Sequence, residues 1–287
     1  MSRINSSLAS IWEGGEPRLI LSDASGVLYT DSNDIHHRYA DGITRTIRTI
    51  TDSIPMWIGT NNTTESPMQI ANRLLQYGID VPESSIVSSG MGLRYLERFR
   101  RQIDSKPVFT MGYSGSLWYA EWAGGVSVDH PDSAEAIVLA ASTGDRSMAT
   151  IDLIAESLRR RPRPVICINP DRYVQSTGGR YPVMGYYAEI LESRGVPVDW
   201  VGKPESNFSE IVAHSFHSVA IEMTPSVWFF DDNPRNVAQL TTDLNISGAL
   251  IMDTGLCAGM SLDDIHQEFG VVPPVRISAL SFEELHQ

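Results

Sequence analysis

Four side chains, far apart along the chain, carry groups that could work on one anion: Asp23, Thr60, Lys203 and Asp232. Each closes a short apolar run, in "RLILSD", "PMWIGTNN", "VDWVGKP" and "VWFFDDNP". A carboxylate such as Asp23 can attack phosphorus and form an acyl-phosphate, or it can ligate a metal, or it can simply cap a turn. Gly26, three residues on, allows a sharp turn that brings backbone close to a bound group. Thr60 and the adjacent backbone N–H groups of "GTNN" could hold phosphate oxygens without carrying charge, or form an Asx turn. Lys203 is one of only two lysines, beside Lys106, in a chain that otherwise uses arginine. Its compact ammonium could neutralise a carboxylate and a phosphate together. Asp231 and Asp232 are adjacent acids at an apolar strand tip, which is costly unless a cation or donors satisfy them. Hard oxygen ligands of this kind suit Mg²⁺, and Asp232 or Asn233 could also cap a helix.

The elements that must position these groups follow from hydrophobic pattern. Eight apolar runs end in polar or glycine-containing turns: the four above, together with "PVFTMG", "AIVLAAS", "PVICINPD" and "GALIMDTG". Continuous runs, rather than alternation, are expected for strands buried on both faces of a parallel sheet. Helical patterns lie between them. In "SPMQIANRLLQYGI", Ser66 is the expected N-cap, Pro67 the first helical residue, and Met68, Ala71, Leu74 and Leu75 the apolar face, with Gly78 as the stop. "SNFSEIVAHSF" places Phe208, Ile211, Val212 and Phe216 on one stripe, and "NPRNVAQL" again opens with proline. Alternating strand and helix predicts an α/β fold with a doubly wound parallel sheet, whose ligands bind outside the carboxyl ends of the strands.

Composition narrows the class. The 287 residues are 42% hydrophobic and 20% charged, which is ordinary for a globular protein of one large or two moderate domains. A net charge of −13 argues against nucleic-acid binding, and the basic stretch Arg159–Arg163 reads as a solvated helix end. No apolar run is long enough to span a membrane. The N-terminus has no basic cluster followed by an apolar core, and Cys167 sits inside "VICI", so a cytoplasmic setting is expected. "GYSGS" misses the serine-hydrolase elbow by one residue, Ser116, and no P-loop or zinc spacing is present.

The ordered set acid, hydroxyl, lysine, acid pair resembles the haloacid dehalogenase superfamily, in the branch with a large α/β cap inserted between the second and third motifs. The first motif resembles "DASGVLY", the second "GTNNTTES", the third "VGKP" and the fourth "DDNPRN". "INPDRYVQSTGGRYPVMG" resembles that branch's cap segment, and the resemblance covers about residues 17 to 255. It implies a Rossmann-like core, expected over 1–113 and 196–287, with an α/β cap over 114–195. It further implies Asp23 as nucleophile, Lys203 as charge clamp, and Thr60 and Asn61, with Asn62 beside them, around the phosphate. Mg²⁺ would be held by Asp23, the backbone carbonyl of Ser25, and Asp232. Asn169, Asp171, Arg172 and the stretch Gly178–Gly185 are expected to read the substrate, or to form a structural turn. The implied activity is hydrolysis of a small phosphorylated metabolite, and caps of this branch often pair, so a homodimer through the cap is expected.

Three positions depart from the family pattern. Relatives carry a second aspartate where this chain has Ser25, and a serine hydroxyl cannot act as a general acid near neutral pH. Losing such a group costs roughly two to four orders of magnitude in rate. A further family acid is replaced by Val237, and the family glycine before Asp232 by Asp231. Two alternatives therefore stand beside the phosphatase. One is a reaction whose leaving group needs no acid, such as C–P or C–halogen cleavage. The other is a ligand-binding protein on a catalytically impaired scaffold. His36 and His37, expected on the loop after the first motif, could in principle supply the missing acid.

Overall fold

The computed structural model describes residues 17–29, 54–176, 179–252, 255–273 and 276–277. His36, His37 and Gly178 lie outside the described residues. The strands, in chain order, are β1 (Leu19–Ser22), β2 (Met56–Thr60), β3 (Ile86–Ser88), β4 (Pro107–Met111), β5 (Val126–Ser127), β6 (Ala136–Leu139), β7 (Val165–Cys167), β8 (Tyr173–Ser176), β9 (Gly179–Pro182), β10 (Asp199–Trp200), β11 (Val227–Asp231), β12 (Ser247–Ile251) and β13 (Arg276–Ile277).

They form two parallel sheets and a hairpin. The first sheet is six-stranded, in the order β13-β12-β11-β1-β2-β3, and the second is five-stranded, in the order β10-β7-β6-β4-β5. All pairings within both sheets are parallel, while β8 and β9 pair antiparallel. The apolar runs explain this architecture: β1, β2, β3, β6 and β7 are buried along their whole length, as strands covered on both faces must be. The chain enters the first sheet through β1 to β3, builds the second, and returns to the first through β11 to β13.

The sheets do not follow the expected division at residues 113 and 196. β4 pairs with β6, and β10 pairs with β7, so both strands belong to the second sheet. An apolar run states that a strand is buried, but not which sheet it joins.

Helix Pro67–Gln76 starts as expected. The Ser66 side chain accepts from Gln69 N, and the Gln69 side chain accepts from Ser66 N at 2.9 Å, a reciprocal capping box. Its buried stripe differs from the expected one. Pro67, Ile70 and Leu74 face the core, whereas Met68 and Leu75 are each 55% exposed. Helix Ser206–Ser218 buries Phe208, Ile211, Val212 and Phe216 as expected. Helix Pro234–Leu244 is capped by Asn233, whose side chain accepts from Arg235 N at 3.0 Å. Both cysteines are buried and free. Among the described residues, no helix is long and apolar enough to cross a membrane.

Candidate active site

β1 and β11 lie side by side at the centre of the first sheet, so their carboxyl ends deliver Asp23 and the pair Asp231-Asp232 to one place. Asp23 extends the ladder by donating its N–H to Phe230 O at 2.7 Å. Its Oδ1 accepts from Ala24 N at 2.8 Å. The chain then doubles back, with Leu28 N donating to Ala24 O and Gly26 N to Tyr29 O, both at 2.8 Å. Gly26 has φ +82°, and a Cβ there would strike the Asp232 carboxylate. The turn after Asp23 therefore needs glycine twice, for its backbone angle and for the approach of Asp232.

Lys203 is brought to the same point from the end of β10. Its backbone is clamped by Asn61, whose Oδ1 accepts from Lys203 N at 2.8 Å and whose Nδ2 donates to Lys203 O at 2.9 Å. Lys203 Nζ lies 3.0 Å from Asp23 Oδ1 and 2.7 Å from Asp231 Oδ2. The side chain is 1% exposed, with the Phe208 and Phe229 rings 5.9 and 5.5 Å from Nζ.

The two adjacent acids have different duties. Asp231 is fully buried and fully engaged. Its Oδ2 takes Lys203, its Oδ1 takes Asn233 N at 2.8 Å, and Asn236 Nδ2 reaches both oxygens at 3.1 Å. It is the counter-ion of Lys203. Asp232 instead accepts from Leu256 N at 2.6 Å and borders the cavity beside Asp23.

Electrostatics at this point call for a cation. Asp23, Asp231 and Asp232 offer oxygens within 4.8 Å of one another, against one ammonium. Burial pushes the Asp23 carboxyl from 3.8 up to about 7, although Lys203 pulls it down. Burial, then Asp231 and Asp23, hold Asp232 well above the usual carboxylate range. Burial would lower Lys203, but Asp23 and Asp231 outweigh it and keep the ammonium charged. Two buried carboxylates lacking a full counter-charge form a donor set that a hard divalent cation fits. Because Asp231 is saturated, Asp23 and Asp232 are the carboxylates left to hold one.

A cavity of about 230 Å³ opens over these groups. Of the expected site residues, Asp23, Ser25, Thr60, Asn62 and Asp232 border it from the first sheet, and Asn169 and Asp171 from the loop after β7. Thr60 Oγ1 accepts from Asn62 N at 3.1 Å and Asn62 Oδ1 from Thr64 N at 2.9 Å, so the wall is built as an Asx turn. Asn61 and Lys203 do not border the cavity. Asn61 spends its side-chain amide on Lys203 and on Asp171 Oδ1 at 2.9 Å, so that amide positions other residues. Arg172 pairs with Glu189 and is absent from the cavity wall. Of the stretch ending at Gly185, Val183 reaches the wall, while Gly185 packs on the Pro170 and Asp171 carbonyls.

Sequence reasoning missed Asn236 and Arg73. Asn236 lies in the first turn of helix Pro234–Leu244, where it faces back at the strand tip, a position that the opening proline foreshadows. Arg73 borders the cavity from helix Pro67–Gln76, paired with Glu65 at 2.9 Å. No local signal marks it.

The family model of haloacid dehalogenase-like hydrolases matches residues 20–124. The dihydroxyacetone phosphatase of Corynebacterium glutamicum is 27% identical over 211 residues, 70% of this chain and 72% of that protein. That similarity makes the chain a hydrolase, one that resembles the haloacid dehalogenase-like hydrolases over this stretch. An acid sugar phosphatase of Staphylococcus aureus is a further relative of this hydrolase, 26% identical over 189 residues, 64% of this chain and 68% of that protein. Among solved structures, a possible sugar phosphatase of Cytophaga hutchinsonii superposes with a TM-score of 0.77 at 22% identity, covering 96% of this chain and 98% of that one. A p-nitrophenyl phosphatase of Archaeoglobus fulgidus superposes with a TM-score of 0.73 at 20% identity, covering 94% and 99%. These superpositions span both sheets, so the hydrolase shares the whole two-sheet fold.

Proposed function

We propose that this hydrolase is a Mg²⁺-dependent phosphomonoesterase of small phosphorylated metabolites, acting through an aspartyl-phosphate on Asp23. The observation that carries the reading is the Lys203 ammonium lodged between Asp23 and Asp231, with Asp232 in the same cluster, where Asp23 and Asp232 border the cavity. Asp23, the backbone carbonyl of Ser25 and Asp232 would hold Mg²⁺. When bound, the ion supplies charge neutralisation for the phosphoryl oxygens. Asp23 Oδ attacks phosphorus in line with the departing oxygen. Lys203 keeps Asp23 oriented and offsets the charge of Asp231. Thr60 and Asn62 form the wall on which phosphate oxygens would rest. The second sheet, from β4 to β10, serves as the cap, so the proposed limits of the cap lie near 107 and 200 in place of 114 and 195. Cavity size supports a small substrate, and the similarity to a dihydroxyacetone phosphatase and an acid sugar phosphatase supports a phosphorylated sugar or triose.

The test is release of p-nitrophenol from p-nitrophenyl phosphate with and without Mg²⁺, beside Asp23→Asn. The variant keeps the shape and removes the nucleophile, so turnover is expected to fall to background. No Mg²⁺-dependent release by the native chain above that variant overturns the reading. Mg²⁺ binding without turnover would then favour a ligand-binding protein. Ser25 alone favours a second reading, displacement of a leaving group that needs no proton. A C–P or C–halogen substrate turned over faster than any phosphomonoester would establish that alternative.

A further inference from the structure

Attack by Asp23 on a phosphomonoester leaves one proton without a source. As the bond from phosphorus to the leaving oxygen breaks, an alkoxide departs unless an acid protonates it. Ser25 cannot do this near neutral pH. Among the described residues, the ionisable side chains bordering the cavity are Asp23, Arg73, Asp171, Tyr173 and Asp232. Asp23 and Asp232 are committed to the nucleophile and the cation. The Arg73 guanidinium stays protonated throughout and is paired with Glu65. Tyr173 is exposed on the β8–β9 hairpin, with the Arg180 guanidinium 5.5 Å from its ring centre. Asp171 remains.

Asp171 is built into place. Its N–H donates to Asn169 Oδ1 at 3.3 Å, and its carbonyl accepts from Gly185 N at 2.8 Å. A side chain at Gly185 would collide with the Pro170 and Asp171 carbonyls, so helix Met184–Ser193 can press against this loop only through glycine. Asn61 Nδ2 donates to Asp171 Oδ1, and the same nitrogen donates to Lys203 O. One amide thus ties the carboxyl group on the cap side to the residue that pairs with the nucleophile. The charge of Asp171 is felt at both Asp23 and Lys203.

We propose that Asp171, contributed from the second sheet, is the general acid–base of the reaction in place of the aspartate missing at position 25. This deepens the phosphomonoesterase reading and rests on it. In the first half-reaction, Asp23 Oδ forms a bond to phosphorus while the ester P–O bond breaks, and the Asp171 carboxyl proton goes to the leaving oxygen, which departs as an alcohol. In the second, the Asp171 carboxylate takes a proton from water as the water oxygen bonds to phosphorus. The acyl-phosphate P–O bond breaks, releasing inorganic phosphate and restoring both carboxyl groups.

The experiment uses Mg²⁺-loaded full-length protein and three monoesters without free hydroxyls: p-nitrophenyl, phenyl and ethyl phosphate. A carboxyl that only binds sugar hydroxyls is silent in this series. Asp171→Asn keeps an oxygen to accept from Asn61. The kcat loss is expected to grow with the basicity of the leaving oxygen, from a few-fold on p-nitrophenyl phosphate to about 10²–10⁴-fold on ethyl phosphate. Adding Ser25→Asp to Asp171→Asn is expected to recover at least about tenfold on ethyl phosphate. A Mg²⁺-induced rise in Tm matching that of the native chain shows that the variant is folded. Equal losses on all three esters, no loss, or a leaving-group-dependent loss in Tyr173→Phe instead would overturn the proposal. Absence of turnover by the native chain would remove the phosphomonoesterase reading itself, an outcome separate from any of these.

Discussion

Lys203 is fixed at its backbone by Asn61 and at its tip by two carboxylates, so its charge has a defined position before any substrate arrives. Its worth depends on what would remain without it. Removing one partner of a buried ion pair leaves an uncompensated charge and costs about 3–5 kcal/mol. Lys203→Met is therefore expected to destabilise the metal-free protein by about that amount in denaturant titration, and to abolish turnover. Lys203→Arg is expected to fail as well, because a planar guanidinium does not fit a site bounded by Phe208, Phe229 and two carboxylates. Asp23 gives the metal-free protein an unusual response to pH. In the unfolded chain it titrates near 3.8, and in the folded chain near 7. The folded state keeps its proton where the unfolded state has lost it, so this residue disfavours folding progressively as pH rises from about 4 to about 7. The Tm of EDTA-treated protein is expected to fall across the upper part of that range. Asp23→Asn should flatten the fall, and Mg²⁺ should raise Tm more at pH 8 than at pH 5. A Tm in EDTA that rises steadily from pH 5 to pH 8 would contradict this account.

The elements bring these residues together through loops that tolerate little change. Gly26 adopts φ +82° and lies against Asp232. Gly26→Ala adds backbone strain of about 1–3 kcal/mol and displaces that carboxylate. The expected result is at least about tenfold weaker Mg²⁺ binding by calorimetry, since a misplaced hard ligand weakens the site. Much of this level could be read in advance. Apolar runs without alternation announced parallel strands, Ser66 and Pro67 announced a helix start, and acids and a lysine at strand ends announced a crevice. Other features could not. Ile70, and not Met68, faces inward because the sheet chooses which part of a broad apolar surface it covers. Asn61 reads as a phosphate neighbour from its motif, yet its amide is used by Lys203, 142 residues away in the chain. Asp231 reads only as one of two adjacent acids that need a cation or donors, until Lys203, Asn233 and Asn236 are seen to occupy both of its oxygens. Each of these facts is a distance between segments, and local pattern does not encode it.

At the level of the whole molecule, one apolar cluster runs through both sheets. It joins Leu21, Trp57 and Phe229 of the first to Val108, Val138 and Ile166 of the second, by way of Leu93, Phe99 and Phe208. Polar ties cross in the same place. Thr63 Oγ1 donates to Ala140 O at 2.6 Å, and Tyr119 Oη to Glu65 O at 2.7 Å. Shared burial of this kind couples the two halves energetically. A single calorimetric transition is therefore expected, with calorimetric and van't Hoff enthalpies in agreement, and two resolved transitions would refute it. The same continuity limits how such a protein can be re-engineered or can diversify. A foreign cap grafted onto these first-sheet strands would have to match the shape of their inner surface as well as the loops that join it. Changes in substrate preference are thus easier to obtain from the β8–β9 hairpin, which the shared interior leaves outside.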